Sequence, residues 1–257
     1  MTSPEPLWGE ESRFYLPNED AGVVCRAISF LEKKPRHPLF VCGSGMVALE
    51  VISRLDTEAV ATLVDVSGFQ IDFFKKLSVA IKRSEKPKDI INWFKEKVYP
   101  YLCKHFDKRG EYYPIENILS AIREIFRISF FSDIQTLENI QSRVDSINLI
   151  HEDIAGYLAK TTSLHDFVYL SNLPDYLSED ECAGIFSSCA RIKATVYLLL
   201  TESCKNKEAV KIAWANAGYI DHPLSEELTA DNRGLGSKSL KKKWNRKGSV
   251  HLLLSNS

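Results

Sequence analysis

The strongest constraint in this chain is a repeated order of short, continuous apolar runs and segments of helical periodicity. "LFVC" (39–42) is followed by "GSG" and then by "MVALEVISRL" (46–55). In the latter, Met46, Leu49, Val51, Ile52 and Leu55 recur at helical spacing. "ATLVDVS" (61–67) is a second apolar run, ending in an acid, and "FQIDFFKKLSVAIKR" (69–83) a second helix. Runs that are apolar at successive positions suit strands covered on both faces. Strand, helix, strand, helix therefore predicts an α/β fold with a parallel sheet and right-handed crossovers.

The alternation breaks between residues 84 and 143. "PKDIINWFKEKVYPYLCKHF", "YPIENILSAIREIFRISFF" and "DIQTLENIQSRV" all read as helical, with Pro114 in the first turn of the second. A structureless loop of that length does not suit a compact domain, so 84–143 is expected to be an inserted helical cap. It serves either as extra stabilising helices or as a lid. Alternation resumes with "SINLIHEDI" (146–154), "HDFVYL" (165–170), a helix over 179–190 and "ATVYLLLTE" (194–202). "NKEAVKIAWANAG" is a helix stopped by Gly218, and a polar loop then leads to a last strand, "SVHLLLS". Ahead of the first strand, "LPNEDAGVVCRAISFLEKK" reads as a helix with Asn18 as N-cap and Glu19 and Asp20 in its first turn. Residues 1–257 are expected to form one domain carrying the insertion within it.

Composition narrows the class. The formal net charge is -1, which gives no overall case for nucleic acid or an anionic membrane. The basic run "KSLKKKWNRK" (238–247), with Trp244 interleaved, is a local exception. It reads as a solvated loop between the last two strands, with nucleic-acid contact as the alternative. No apolar run reaches the ~18 residues of a membrane-spanning helix. "MTSPEPLWGEESRFY" is polar and acidic, unlike a secretory signal. Cys25, Cys42, Cys103, Cys182, Cys189 and Cys204 form no C-x-x-C pair, which predicts reduced thiols in a cytoplasmic protein. The histidines are scattered without ligand spacing, so no metal site is expected.

In open parallel sheets, ligands bind outside the carboxyl ends of the strands, near the switch in strand order. Gly43 and Gly45 end the first strand, where they either admit a ligand to the backbone or simply make a tight turn. Asp65 lies twenty residues after Gly45 and ends the second strand. It suits the hydroxyls of a ribose, or is a surface acid. Asp153 follows the third strand, as an acceptor for an adenine amino group, as the N-cap of "IAGYLAK", or as both. The fourth strand runs into "SNLPDYL", a polar turn or the floor of a site. Together these ends suggest a nucleoside. The glycine turn lacks the third glycine of a pyrophosphate cradle and no substrate domain follows, which favours a nucleoside without phosphates such as S-adenosylmethionine.

"FVCGSG", "LVDVSGFQ", "HEDIAGYL" and "FVYLSNLPDYL" resemble, in order and position, the cofactor-binding motifs of class I S-adenosylmethionine-dependent enzymes. The resemblance covers most of residues 38 to 202. It implies a Rossmann-like fold with a mostly parallel seven-stranded sheet and helices on both faces. It also implies S-adenosylmethionine as a small-molecule substrate, held by Gly43, Ser44, Gly45, Asp65, Val66, Gln70, Asp153, Ile154, Ser171 and Asn172. One position departs: such methyltransferases usually carry an acid just before the glycine turn, where this chain has Val41 and Cys42. The insertion and "SNLPDY" are similar to the branch that uses the 3-amino-3-carboxypropyl arm of the cofactor. That branch includes betaine-lipid and nicotianamine-type synthases and azetidine-2-carboxylate synthases, the last resembled most in "SNLPDY".

The resemblance to azetidine-forming enzymes implies cyclisation of the arm with release of methylthioadenosine. Transfer of the arm to an external acceptor, methyl transfer, or a binding module without catalysis are the other readings. In the cyclase reading, Tyr176 offers its ring to the sulfonium, a cation–π contact of roughly 0.5–2 kcal/mol, unless it is a core tyrosine. Ser171 and Asn172 bind the methionyl amine and carboxylate, and Asp175 accepts from the ammonium. An asparagine, a tyrosine and a serine are implied around the bent arm. Tyr176 matches by motif. Asn139, as a buried polar residue on the insertion, and Ser203, at the end of the fifth strand, match by placement. Tyr15 covers the cofactor or packs at the entrance of the first helix.

Overall fold

The computed structural model describes residues 20–98, 133–162, 164–202, 204–234 and 248–255. Its strands are β1 (Pro38–Val41), β2 (Ala61–Asp65), β3 (Ile147–His151), β4 (Phe167–Ser171), β5 (Thr195–Thr201), β6 (Tyr219–Asp221) and β7 (Gly248–Ser255). They form one sheet in the order β3-β2-β1-β4-β5-β7-β6. β1 to β5 are parallel, and β7 is antiparallel to both β5 and β6. This order, with its one reversed strand, is the class I methyltransferase fold that the motifs imply.

The helices are α1 (Ala21–Ser29), α2 (Met46–Ile52), α3 (Gly68–Arg83), α4 (Pro87–Trp93), α5 (Ile134–Arg143), α6 (Ile154–Lys160), α7 (Glu179–Arg191), α8 (Lys207–Asn216) and α9 (Ser225–Gly234). Alternate strand residues build a core on each face of the sheet. Phe40, Leu63, Tyr169, Tyr197 and Leu252 pack with α1 to α5 and α9. Leu39, Val64, Val168, Leu198 and Leu253 pack with α6, α7 and α8. Each such side chain contributes about 1.5–3 kcal/mol on burial, and both faces need them, so the central strands read apolar throughout.

Three local expectations are corrected. The first helix starts at Ala21, and its N-cap is Asp20, whose carboxylate accepts from the Gly22 N–H at 2.9 Å. Asp20 thus caps the helix from outside its first turn, in the role expected of Asn18. That helix ends at Ser29, short of the predicted Lys34, and the Lys34 amine folds back to donate to the Ile28 and Ser29 carbonyls. The segment "YID" forms β6, and Ser225–Gly234 forms α9, in a stretch that reads as polar connection.

Of the insertion, α4 runs into a π-helical turn, Phe94–Val98, and Ile90, Phe94 and Val98 are buried in the core shared with α2 and α3. α5 buries Leu137 and Ile140 in the same core. Both described ends of the insertion therefore belong to the helical layer of the sheet. Residues 99–132, with Pro114 and Cys103, lie outside the described residues. No described helix is long and apolar enough to cross a membrane.

The turn after β1 is built around two left-handed glycines, Gly43 (φ 48°) and Gly45 (φ 72°). A Cβ on Gly45 would stand 2.0 Å from Cδ2 of Phe74 on α3. Gly45→Ala therefore combines left-handed strain with overpacking and is expected to lower stability by about 2–4 kcal/mol. Urea denaturation measures it, and a loss under about 0.5 kcal/mol would show that neither the ring nor the backbone restricts this position.

Candidate active site

The strand order reverses between β1 and β4, and the chain leaves these neighbours through the glycine turn and through "SNLPDYL". β2 and β3 continue the row on the β1 side and β5 on the β4 side. Every strand-end residue singled out in the sequence thus borders one mouth, except those outside the described residues.

Asp65 organises the β1–β2 half. One carboxylate oxygen accepts from the Gly43 N–H at 3.1 Å, the other from the Ser67 N–H at 2.9 Å. The Cys42 N–H extends the pairing to the Val64 carbonyl at 2.9 Å. From the other side, the buried Gln70 amide donates to the Gly43 carbonyl. Gln70 thus braces the glycine loop from beneath. Burial raises the Asp65 carboxyl above the ordinary aspartate range, while the Ser67 and Gly43 amides and the nearby His151 pull it down. Ser44 is buried beside Gly45, within 3.4 Å of the Met46 N–H. Val66 is 55% exposed, an apolar side chain presented at the strand end.

Asp153 caps α6, accepting from the Gly156 N–H at 2.8 Å. Its side chain is exposed, and Ile154 beside it is buried. The Glu152 N–H donates to the Asp65 carbonyl at 3.0 Å, so this turn is registered directly against β2.

β4 ends in a bulge. Its register with β5 shifts between Tyr169 and Ser171, and Ser171 is left-handed (φ 52°). A non-glycine residue there costs of order 1–3 kcal/mol, a strain that concentrates at functional sites. A 3₁₀ turn follows, Leu173–Tyr176. The Ser171 hydroxyl donates to Asn172 Oδ1 and Asn172 Nδ2 to the Tyr176 hydroxyl, both at 3.3 Å. Asn172 is buried and holds the two outer side chains in one row. Asp175 is reached from the next strand: the Thr201 hydroxyl donates to Asp175 Oδ2 at 2.5 Å. Cys204 packs beneath, its sulfur 3.9 Å from the Pro174 carbonyl, and burial pushes its thiol up.

Tyr176, Asp175, Asn172 and Ser171 are brought together as one hydrogen-bonded turn. Asn139 is not with them. It is exposed on α5, bonded to Gln135 one turn back at 3.0 Å. The inward face of α5 belongs to Leu137 and Ile140, so helical spacing turns Asn139 outward. Tyr15 and Ser203 lie outside the described residues, as does the basic run around Trp244. Thr201 was not singled out by the sequence reading, although a polar residue closing the apolar run "VYLLLT" was its signal. No cluster of metal-ligating side chains occurs among the described residues.

No protein-family profile matches the chain, and no curated protein matches it. Solved structures that align with it include the [4+2]-cyclase SpnF, at 12% identity over 91% of this chain and 78% of that one (TM-score 0.43). They include residues 961–1257 of the StiE O-MT, at 10% identity over 91% and 74% (TM-score 0.44). They also include the plantazolicin methyltransferase BamL, solved with a triazolic desmethylPZN analog and SAH, at 10% identity over 92% and 83% (TM-score 0.48). The fold assignment rests on the chain's own strand order.

The Thr201–Asp175 bond makes a direct prediction. Thr201→Val keeps the side-chain shape and removes the donor. A double-mutant cycle with Asp175→Ala is expected to return a coupling of about 1–2 kcal/mol in urea denaturation. Additive losses would show that the bond does not fix Asp175.

Proposed function

We propose that the chain is an S-adenosylmethionine-dependent enzyme acting on the 3-amino-3-carboxypropyl arm, most simply by closing it to azetidine-2-carboxylate. The observation that carries this reading is the pairing of two structures across the strand-order switch: a glycine loop clamped by Asp65 and Gln70, and the strained Ser171–Tyr176 turn. The donor set fits a cationic nucleoside. Asp65, Asp153 and Asp175 supply carboxylates at three strand ends, and Val66 supplies an exposed apolar surface for a purine.

S-adenosylmethionine supplies the electrophilic γ-carbon, a sulfonium leaving group and, in its own α-amine, the nucleophile. In cyclisation the N–Cγ bond forms, the Cγ–S bond breaks with its electron pair passing to sulfur, and the ammonium gives up one proton. Methylthioadenosine and azetidine-2-carboxylate are the products. In this reading Asp65 accepts from the ribose hydroxyls with the lone pairs left by its two backbone bonds. Asp153 accepts from the adenine amine while it caps α6. Ser171 and Asn172 hold the methionyl end in a bent arm, and Tyr176 sets its ring against the sulfonium. Asp175, fixed by Thr201, takes the ammonium proton or balances its charge. Val41, in place of an acid, leaves the arm free of a tether at the glycine turn. Because the leaving group is already good, holding the arm bent and excluding water are the main demands on the protein.

Two experiments test this. Purified protein incubated with S-adenosylmethionine alone is expected to release methylthioadenosine and azetidine-2-carboxylate, identified by mass spectrometry. Methylthioadenosine only when an amine or lipid acceptor is added would indicate arm transfer, and adenosylhomocysteine would indicate methyl transfer. Unchanged S-adenosylmethionine despite measured binding would overturn enzymatic use of the arm.

The second concerns Asp65. Its folded-state carboxyl is raised, so it takes up a proton at higher pH than an ordinary aspartate, and the charged acceptor disappears as pH falls. Affinity for S-adenosylmethionine is therefore expected to drop as pH is lowered toward the ordinary aspartate range, starting above it. Asp65→Asn should weaken binding about tenfold and remove that limb of the titration. Calorimetric titration of both proteins measures this, and an unchanged pH profile in Asp65→Asn would rule out Asp65 as the acceptor.

A further inference from the structure

On the α8 face of the sheet, away from the glycine turn, three side chains of β6 and β7 stand in line. Asp221 Oδ2 lies 2.6 Å from His251 Nδ1, and His251 Nε2 lies 2.6 Å from Ser249 Oγ. The antiparallel pairing makes this possible. Asp221 stands opposite Leu253, one diagonal step from His251, and Ser249 and His251 are two apart on the same side of β7.

The far end of the line is fixed too. Ser225 Oγ donates to Asp221 Oδ1 at 2.6 Å and accepts from the Leu252 N–H at 3.0 Å. The Trp214 ring lies 4.9 Å from the imidazole, and both side chains are buried. Ser249 is only half-buried.

A carboxylate can only accept, so Asp221 draws the imidazole proton to Nδ1. Nε2 is then the acceptor, and its hydrogen-bonding partner is the Ser249 hydroxyl. This is the order of orienting acid, base and nucleophile that activates a serine.

We infer that Ser249 is an activated nucleophile, able to take an acyl or phosphonyl group from a small activated ester or fluoride. Ser249 Oγ bonds to the acyl carbon or to phosphorus, and the bond to the leaving alkoxide or fluoride breaks with its electron pair. The hydroxyl proton passes to His251 Nε2, and from there to the leaving group or to water. The inference is independent of the reading of the strand-end mouth.

The full chain is treated with a fluorophosphonate probe and the adducts are mapped by peptide mass spectrometry. Ser249 is expected to be labelled about 100-fold faster than the exposed Ser29 and Ser178 of the same chain, the scale of general-base assistance. Ser249→Ala should abolish the fast adduct. His251→Gln, checked by circular dichroism for a wild-type fold, should bring Ser249 to within a few-fold of the exposed serines. Labelling of Ser249 no faster than Ser29 and Ser178 in the wild-type chain would overturn the inference, whether or not the variants fold. So would a fast adduct undiminished in folded His251→Gln.

Discussion

The carboxylate of Asp65 is the contact on which the rest of the mouth depends. It stands where β2 ends and closes two backbone amides at once, one from the turn after β1 and one from its own exit. A turn with two left-handed residues has no ladder to hold it, and its polar groups must be satisfied from outside. Asp65 takes the N–H side and Gln70 the carbonyl side. The loop is thereby held from one neighbouring strand, β2, and one helix, α3. Burial makes the carboxylate costly to keep charged, and the two amides work against that cost without cancelling it.

The β4 half of the mouth is built on the opposite principle. There a conformation is strained rather than relieved. Ser171, left-handed, still pairs with Leu198 after a bulge at Leu170, and the chain then turns into a short 3₁₀ segment. The turn is stabilised by its own side chains: Asn172 joins Ser171 to Tyr176, and Thr201 reaches across from β5 to Asp175. A cradle clamped by a carboxylate and an amide thus stands on one side of the switch, and a strained, side-chain-stitched turn on the other.

Much of this was legible in the residues. The five central strands announce themselves because burial on both faces demands apolar residues at successive positions, and four were found within a residue or two of their expected bounds, while the third stops at His151, three residues before the expected end. Gly43 and Gly45 carry backbone geometry in their identities, and Asp65 is the acid that closes an apolar run, so their place at the strand ends could be read without a structure. β6 was hidden, since three residues at a sheet edge need little apolar character. Asn139 was misplaced because identity and spacing tell that a helix exists, while its inward face is chosen by neighbours far away in the chain. Thr201 was overlooked for a related reason: its partner, Asp175, is 26 residues distant and meets it only through β4–β5 pairing.

The contact between Gly45 and the Phe74 ring has a bearing on how such a site can change over time. A side chain at position 45 is barred by the ring as well as by the backbone. Shrinking residue 74 first would lift one of those bars, while enlarging residue 45 first meets both together. The two positions therefore admit substitution in one order far more readily than in the other. An aromatic side chain in the helix that follows β2 acts as a ratchet on the diversification of the loop that follows β1.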